Sequence, residues 1–157
     1  MQKQKLRDER IFSKLKIEKL PFKINNQNFK ILGSAISLAF RNLHSSKIES
    51  ENLQWCFSTV KRFKIFLEIF YANEEGREIY KEEIAKKIAE YSYKTISKII
   101  DDGHAKGIYV NLKPDGESGS DNKIKNIRPS EELVIEFLNW NIDVIASVNK
   151  TIKENKT

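Results

Sequence analysis

At 157 residues, 39% hydrophobic and 32% charged with six glycines and three prolines, the chain has the composition of one folded, helix-rich domain, which excludes a disordered or collagen-like polymer. A single cysteine excludes an intrachain disulfide framework and a thiolate-rich zinc site, and no run nears the roughly 18 apolar residues of a bilayer span. The formal net charge of +6 is carried by residues 1–32, where nine Lys and Arg stand against three acidic residues and the remainder sums to zero, so a basic arm precedes a neutral body.

That arm, residues 1–24, begins Met1-Gln2-Lys3-Gln4-Lys5 without the apolar core of a secretory signal, so a soluble, cytoplasmic protein is expected, with no membrane partner. The Asn-x-Thr sequons at Asn149 and Asn155 then carry no meaning. Leu6, Phe12, Leu15, Ile17 and Leu20 give a weak apolar stripe, predicting a helix over 5–20 that Pro21 ends. A second helix is predicted over 28–45 from Phe29, Leu32, Ile36, Ala39, Phe40 and Leu43. The capping-box pattern Ser46-Lys47-Ile48-Glu49 opens a third helical region running through Tyr71. Its stripe is Leu53, Cys56, Phe57, Val60, Phe63, Leu67 and Phe70, widened by Trp55, Phe66 and Ile69, and so many aromatics imply burial on more than one side.

After a turn at Asn73-Glu74-Glu75-Gly76, Ile79-Tyr80 is predicted as a very short strand. Ile84, Ala85 and Ile88 then mark a short helix. Ser92 is the N-cap of another, with Ile96, Ile99 and Ile100 on its buried face. Residues 108–112 and 124–128 read as two strands around a polar loop from Pro114 to Asn122, a β-hairpin with a long tip. Pro129-Ser130-Glu131-Glu132 starts a final helix, sustained by Leu133, Val134, Phe137, Leu138, Val144, Ile145, Val148 and Ile152. The fold class is therefore mainly α with a small β-hairpin wing: a winged helix-turn-helix domain over 25–157, flanked by N- and C-terminal helices. Its helix-turn-helix falls at about 79–106, the wing at about 107–129 and the C-terminal helix at about 130–153.

The residues that would carry chemistry lie on the helix after Ser92. With its isoleucines turned inward, Tyr93, Lys94, Ser97, Lys98 and Asp101 face outward. Hydroxyls, an aromatic ring and two ammonium groups suit phosphate contacts and base-edge hydrogen bonds. Thr95 can serve either as a phosphate contact or in helix packing. The run Tyr80-Lys81-Glu82-Glu83-Ile84-Ala85-Lys86-Lys87-Ile88-Ala89, then Ser92-Tyr93-Lys94-Thr95-Ile96-Ser97-Lys98-Ile99-Ile100-Asp101-Asp102, then Lys106-Gly107-Ile108, resembles the DNA-binding core of MarR-type winged-helix transcriptional regulators. In that family the Ser-x-x-Thr-(Val/Ile)-Ser-(Arg/Lys) helix is the recognition helix and the Lys-Gly-apolar step leads into the wing. Asp121 to Arg128 is similar to the family's basic second wing strand. The resemblance implies double-stranded DNA as partner, with Ser92, Tyr93, Lys94, Thr95, Ser97 and Lys98 in the groove and Lys113, Lys123, Lys125 and Arg128 on the backbone. Gly103 departs from the pattern, standing where a large aliphatic residue is usual, and predicts a left-handed C-cap that ends the helix a turn early.

The surplus of apolar residues at both chain ends predicts a homodimer through the Phe29–Leu43 and Leu133–Ile152 helices. No catalytic, cofactor or metal residue stands out. His44 and His104 have no ligand spacing, no phosphate-binding glycine motif or nucleophile elbow occurs, and Cys56 on an apolar stripe reads as a small buried hydrophobe. Neither an operator nor an effector ligand is specified by these residues. The competing class is a winged-helix module for protein–protein assembly, of the replication or phage type.

Overall fold

The computed structural model describes residues 2–20, 23–25, 33–34, 36–38, 41, 50–112 and 126–154. Within them the order is α1 (Gln2–Phe12), a 3-10 turn (Ile17–Lys19), α2 (Glu51–Phe57), α3 (Val60–Glu74), α4 (Lys81–Lys87), α5 (Tyr93–Ala105), β1 (Tyr109–Leu112), β2 (Asn126–Pro129) and α6 (Glu131–Glu154). The protein is mainly helical with an antiparallel two-strand hairpin between α5 and α6, an order compatible with a winged helix. Two compact units are present, residues 46–139 and the chain ends 1–45 with 140–157. No helix among the described residues is long and apolar enough to cross a membrane.

In the chain-end unit, α1 stops at Phe12, well short of the predicted 5–20 helix. The Ser13 hydroxyl donates to the Arg10 carbonyl at 2.9 Å and ends the run. Leu6 and Ile11 are exposed, so no packed face propagates the helix toward Pro21. The predicted 28–45 helix falls largely outside the described residues; those described within it, 33–34, 36–38 and 41, are helical.

In the 46–139 unit, the long third helix is two helices. Ser50 caps α2, accepting from the Leu53 N–H at 3.3 Å, while the 46–49 capping box lies outside the described residues. At Ser58-Thr59 the ladder breaks. Ser58 Oγ donates to the Trp55 carbonyl at 2.8 Å, Thr59 turns extended, and its hydroxyl caps α3 by accepting from Arg62 N–H at 3.2 Å. Two neighbouring hydroxyls thus supply the hydrogen bonds that a continuous helix would have made. The break resets the helical phase. Ile65, Phe66, Ile69 and Phe70 are buried, whereas Val60 and Leu67 of the predicted stripe are exposed. Phe66 and Phe70 meet Phe137 of α6 at ring-centroid distances of 5.2 and 4.5 Å, and Phe57 joins Phe66 at 5.4 Å. Glu136 of α6 accepts from Ser50 Oγ at 2.5 Å and from Asn52 Nδ2 at 3.1 Å, tying α6 to the start of α2.

Ile79 is not in a strand, although the chain there lies beside β2. The Ile127 N–H donates to the Ile79 carbonyl at 3.0 Å, but the Ile79 N–H is taken by the buried Asn126 side chain, Oδ1 at 3.2 Å. A side-chain amide replaces the second backbone bond, so a ladder never forms. The hairpin pairs Tyr109 with Pro129, Val110 with Arg128, Asn111 with Ile127 and Leu112 with Asn126. The Ser130 N–H extends it to the Ile108 carbonyl at 2.9 Å before Ser130 Oγ caps α6 through the Leu133 N–H at 3.1 Å. The loop 114–122 and residues 124–125 are outside the described residues.

Gly103 is not a C-cap. It lies inside α5 with ordinary helical backbone, and the left-handed residue is Gly107, φ +73°, which accompanies 2.9 and 3.0 Å bonds from the Ile108 and Gly107 N–H groups to the Gly103 and His104 carbonyls. Gly103 is small for a packing reason. A Cβ there would lie 2.3 and 2.6 Å from Cδ2 and Cε2 of Tyr109, so the first residue of the hairpin seats its ring directly on the helix backbone.

Candidate nucleic-acid interface

The predicted recognition helix is held by its buried side. Ile96, Ile100 and Gly103 are buried and Ile99 is half-buried, while Ile84 and Ile88 of the preceding helix and turn complete the apolar contact. Ser92 has extended backbone and accepts from the Thr95 N–H at 3.2 Å, as an N-cap should. Its hydroxyl also meets Thr95 Oγ1 at 2.9 Å, so the half-buried Thr95 is engaged with the cap.

The outward face divides into two parts. Ser97 and Asp101 are bound by Lys81 from the start of α4, whose Nζ lies 3.1 Å from Ser97 Oγ and 2.6 Å from Asp101 Oδ1. This ammonium neutralises the one carboxylate on the face and fixes α4 to α5 through polar contacts. Tyr93 is half exposed, its hydroxyl 3.3 Å from Glu82 Oε1. Lys94 and Lys98, one turn apart, are exposed and make no ion pair among the described residues. Lys94 sits in a first turn that has no acidic residue, where the unpaired backbone N–H groups already carry positive partial charge. A helix optimised for its own stability would place a carboxylate there. The arrangement concentrates positive potential at the exposed end of α5, which suits an anionic partner.

On the hairpin, Arg128 is half-buried, and its guanidinium lies 3.4 Å from Asn73 Oδ1 at the end of α3. Lys113, Lys123 and Lys125 lie outside the described residues, as does His44. Ser92, Tyr93, Lys94, Thr95, Ser97 and Lys98 therefore lie at the cap and along one helix, while Arg128, on the hairpin stem, is engaged with α3. Lys81 was missed as a partner of this face. Its basic character in the run before Ile84 is visible in the sequence, but only the packing of α4 on α5 brings it to Asp101.

Behind the face lies a buried polar cluster. Cys56 is buried, and loss of solvent pushes its thiol up to about 12, opposed by the Tyr109 hydroxyl, reinforced by the Glu136 charge and opposed by Arg62. Burial likewise holds the Tyr109 phenol well above its usual range. Trp55 meets Tyr109 edge-to-face at 6.2 Å, with the Arg62 guanidinium 4.5 Å above the Trp55 ring. His104 Nδ1 is 2.9 Å from the Tyr109 carbonyl oxygen, joining α5 to β1. The described residues contain no group of three or more His, Cys, Asp or Glu placed to hold a metal ion. These contacts give the cluster a structural part, fixing the hairpin to α5 and α2.

A helix held on its apolar side, preceded by a short helix and followed by a hairpin, places a basic and hydroxyl-bearing outer face on a mainly helical domain. Comparison of the chain with protein-family models, with curated proteins and with solved structures finds no significant match.

Proposed function

We propose that the chain is a winged-helix protein resembling MarR-type regulators, binding double-stranded DNA with the outward face of α5 in the major groove and the hairpin against the flanking backbone. Its role is then regulation of transcription. One observation carries the reading: Lys94 and Lys98 are exposed on the same side of α5 as Tyr93, opposite a face on which Ile96 and Ile100 are buried and Ile99 half-buried. Such a helix presents its side chains without reorganising the domain, which lowers the entropic cost of binding. The basic chain end, residues 1–32, adds attraction for phosphate that reads no bases.

Titration of the full chain with random duplex DNA at two salt concentrations tests this. Affinity should fall steeply with salt through counterion release. Absence of binding, or affinity indifferent to salt, would move the protein to the assembly-module class.

A further inference from the structure

Three side chains of α3, one turn apart, reach α4 and the turn that leads into α5. Glu68 Oε2 lies 3.3 Å from Lys87 Nζ in the last turn of α4. One turn back, Lys64 pairs with Glu90. A further turn back, Lys61 Nζ lies 5.2 Å from the centroid of the Tyr91 ring. The first two pairs are neutral, whereas the third sets an ammonium against an uncharged ring. Lys64 Nζ is 5.7 Å from the same centroid, so two ammonium groups share one ring and one carboxylate. Lys61 is exposed and has no carboxylate partner among the described residues. A pairing built for stability alone would place an acidic residue at position 91. The aromatic ring instead holds the ammonium without neutralising it.

We infer that Lys61, positioned by Tyr91, binds a phosphodiester group of the DNA backbone at the margin of the groove that α5 occupies. The inference rests on the DNA-binding reading above and extends its interface onto α3, outside the helix-turn-helix and the hairpin. Location gives the surplus charge this part. Tyr91 directly precedes Ser92, the N-cap of α5, and stands three residues before the exposed Lys94. The uncompensated ammonium is thus held beside the end of α5 whose first turn contains no acidic residue. Arg62, the neighbouring cation, is already engaged, its guanidinium 4.5 Å above the Trp55 ring and donating to Ser58 Oγ at 2.8 Å. Glu90, the carboxylate of the cluster, is held by Lys64 and is thereby kept from repelling an incoming phosphate. An ammonium has three N–H donors, and a ring face leaves the others for an outside acceptor. A phosphate oxygen supplies both the acceptor and the missing negative charge. Phosphate carries no base identity, so the contact adds affinity and salt dependence without sequence preference.

The test is a fluorescence-anisotropy titration of the full chain on a duplex selected by the wild type and on a random duplex, over a salt series from about 50 to 200 mM. K61A should lose about 5- to 10-fold in affinity on both duplexes alike, and its slope of log affinity against log salt should be shallower by about 0.9, the share of one phosphate contact. Lys61 is exposed, so the thermal melt of K61A should match wild type. K61R should restore the slope. Y91L keeps the charge but releases the ammonium, so it should weaken the wild type and leave K61A unchanged, while Y91F, which keeps the ring, should rescue binding. K61A with the affinity and slope of wild type overturns the inference; loss of binding by K94A/K98A on the same duplexes shows that the reading of α5 survives that result. A loss on the selected duplex alone also overturns it, because the ligand would then be a base. Y91L weakening K61A as much as wild type removes Tyr91 from the positioning role. A wild type that binds neither duplex overturns both the inference and the reading beneath it.

Discussion

Replacing Gly103 by alanine tests the contact that joins the hairpin to α5. The new methyl carbon would lie 2.3 and 2.6 Å from two ring carbons of Tyr109, against the roughly 3.5–4.0 Å of an unstrained carbon contact. The ring has little freedom to withdraw. Tyr109 is 1% exposed, its edge meets Trp55 and its carbonyl is bonded to His104. Overpacking of a tight core site costs about 1–3 kcal/mol, and an overlap above 1 Å belongs at the upper end. Alanine is the better helix former by about 1 kcal/mol, which leaves a net loss of about 2 kcal/mol. In urea unfolding followed by circular dichroism, with a slope of about 2 kcal/mol/M, the midpoint should drop by about 1 M. Combining G103A with Y109L should cost less than the two single changes added, because the smaller side chain vacates the space. A G103A protein as stable as wild type, or more stable, would show that helix propensity outweighs the contact and that Tyr109 does not rest on the helix backbone.

Asn126→Ala removes the acceptor of the buried Ile79 N–H, and should cost about 1–3 kcal/mol in thermal unfolding and speed hydrogen exchange at the Ile79 amide; unchanged exchange would contradict the assignment. Lys81→Ala uncovers the Asp101 carboxylate on the outer face of α5 and should weaken DNA binding by about tenfold, with most of the loss recovered in K81A/D101A. A double variant as weak as K81A would give Lys81 a direct contact instead. For Cys56, the folded thiol at about 12 lies above its unfolded value of about 8.5, so the stabilisation is present below pH 8.5 and is lost as pH rises toward 12. Between pH 8.5 and 10, wild type should lose up to about 2 kcal/mol more than Cys56→Ala in urea unfolding, and parallel curves would refute it.

The parts of the fold legible in the sequence are those where local chemistry and packing agree. Ser92 before an isoleucine stripe announces a capped amphipathic helix, and Ser130 ahead of Glu131 does the same for α6. The hairpin was legible from two short apolar runs around a polar loop. The helix break at Ser58-Thr59 was visible as two hydroxyl residues in an apolar stripe, but periodicity ran through them because Val60 and Leu67 continue the pattern. The role of Gly103 was not legible at all. Its partner Tyr109 lies six residues on, past a left-handed turn at Gly107, and a lone glycine near a helix end has the same local signature as a cap. Likewise the extended residue Ile79 reads as a strand until the Asn126 side chain is seen to take its N–H. Within the candidate site, Lys94 and Lys98 follow from helical spacing, while the neutralisation of Asp101 depends on a contact twenty residues away in sequence.

The most direct test of α5 as the reading head is a mobility-shift titration of K94A/K98A on a duplex selected by the wild-type protein, paired with thermal melts. Both side chains are exposed, so their removal leaves no cavity, and stability should stay within about 0.5 kcal/mol of wild type. Each lost contact to a base edge or phosphate is worth about 1–3 kcal/mol, so affinity for the selected site should fall by about 100-fold. A folded double variant that binds the selected duplex as tightly as wild type would contradict the account.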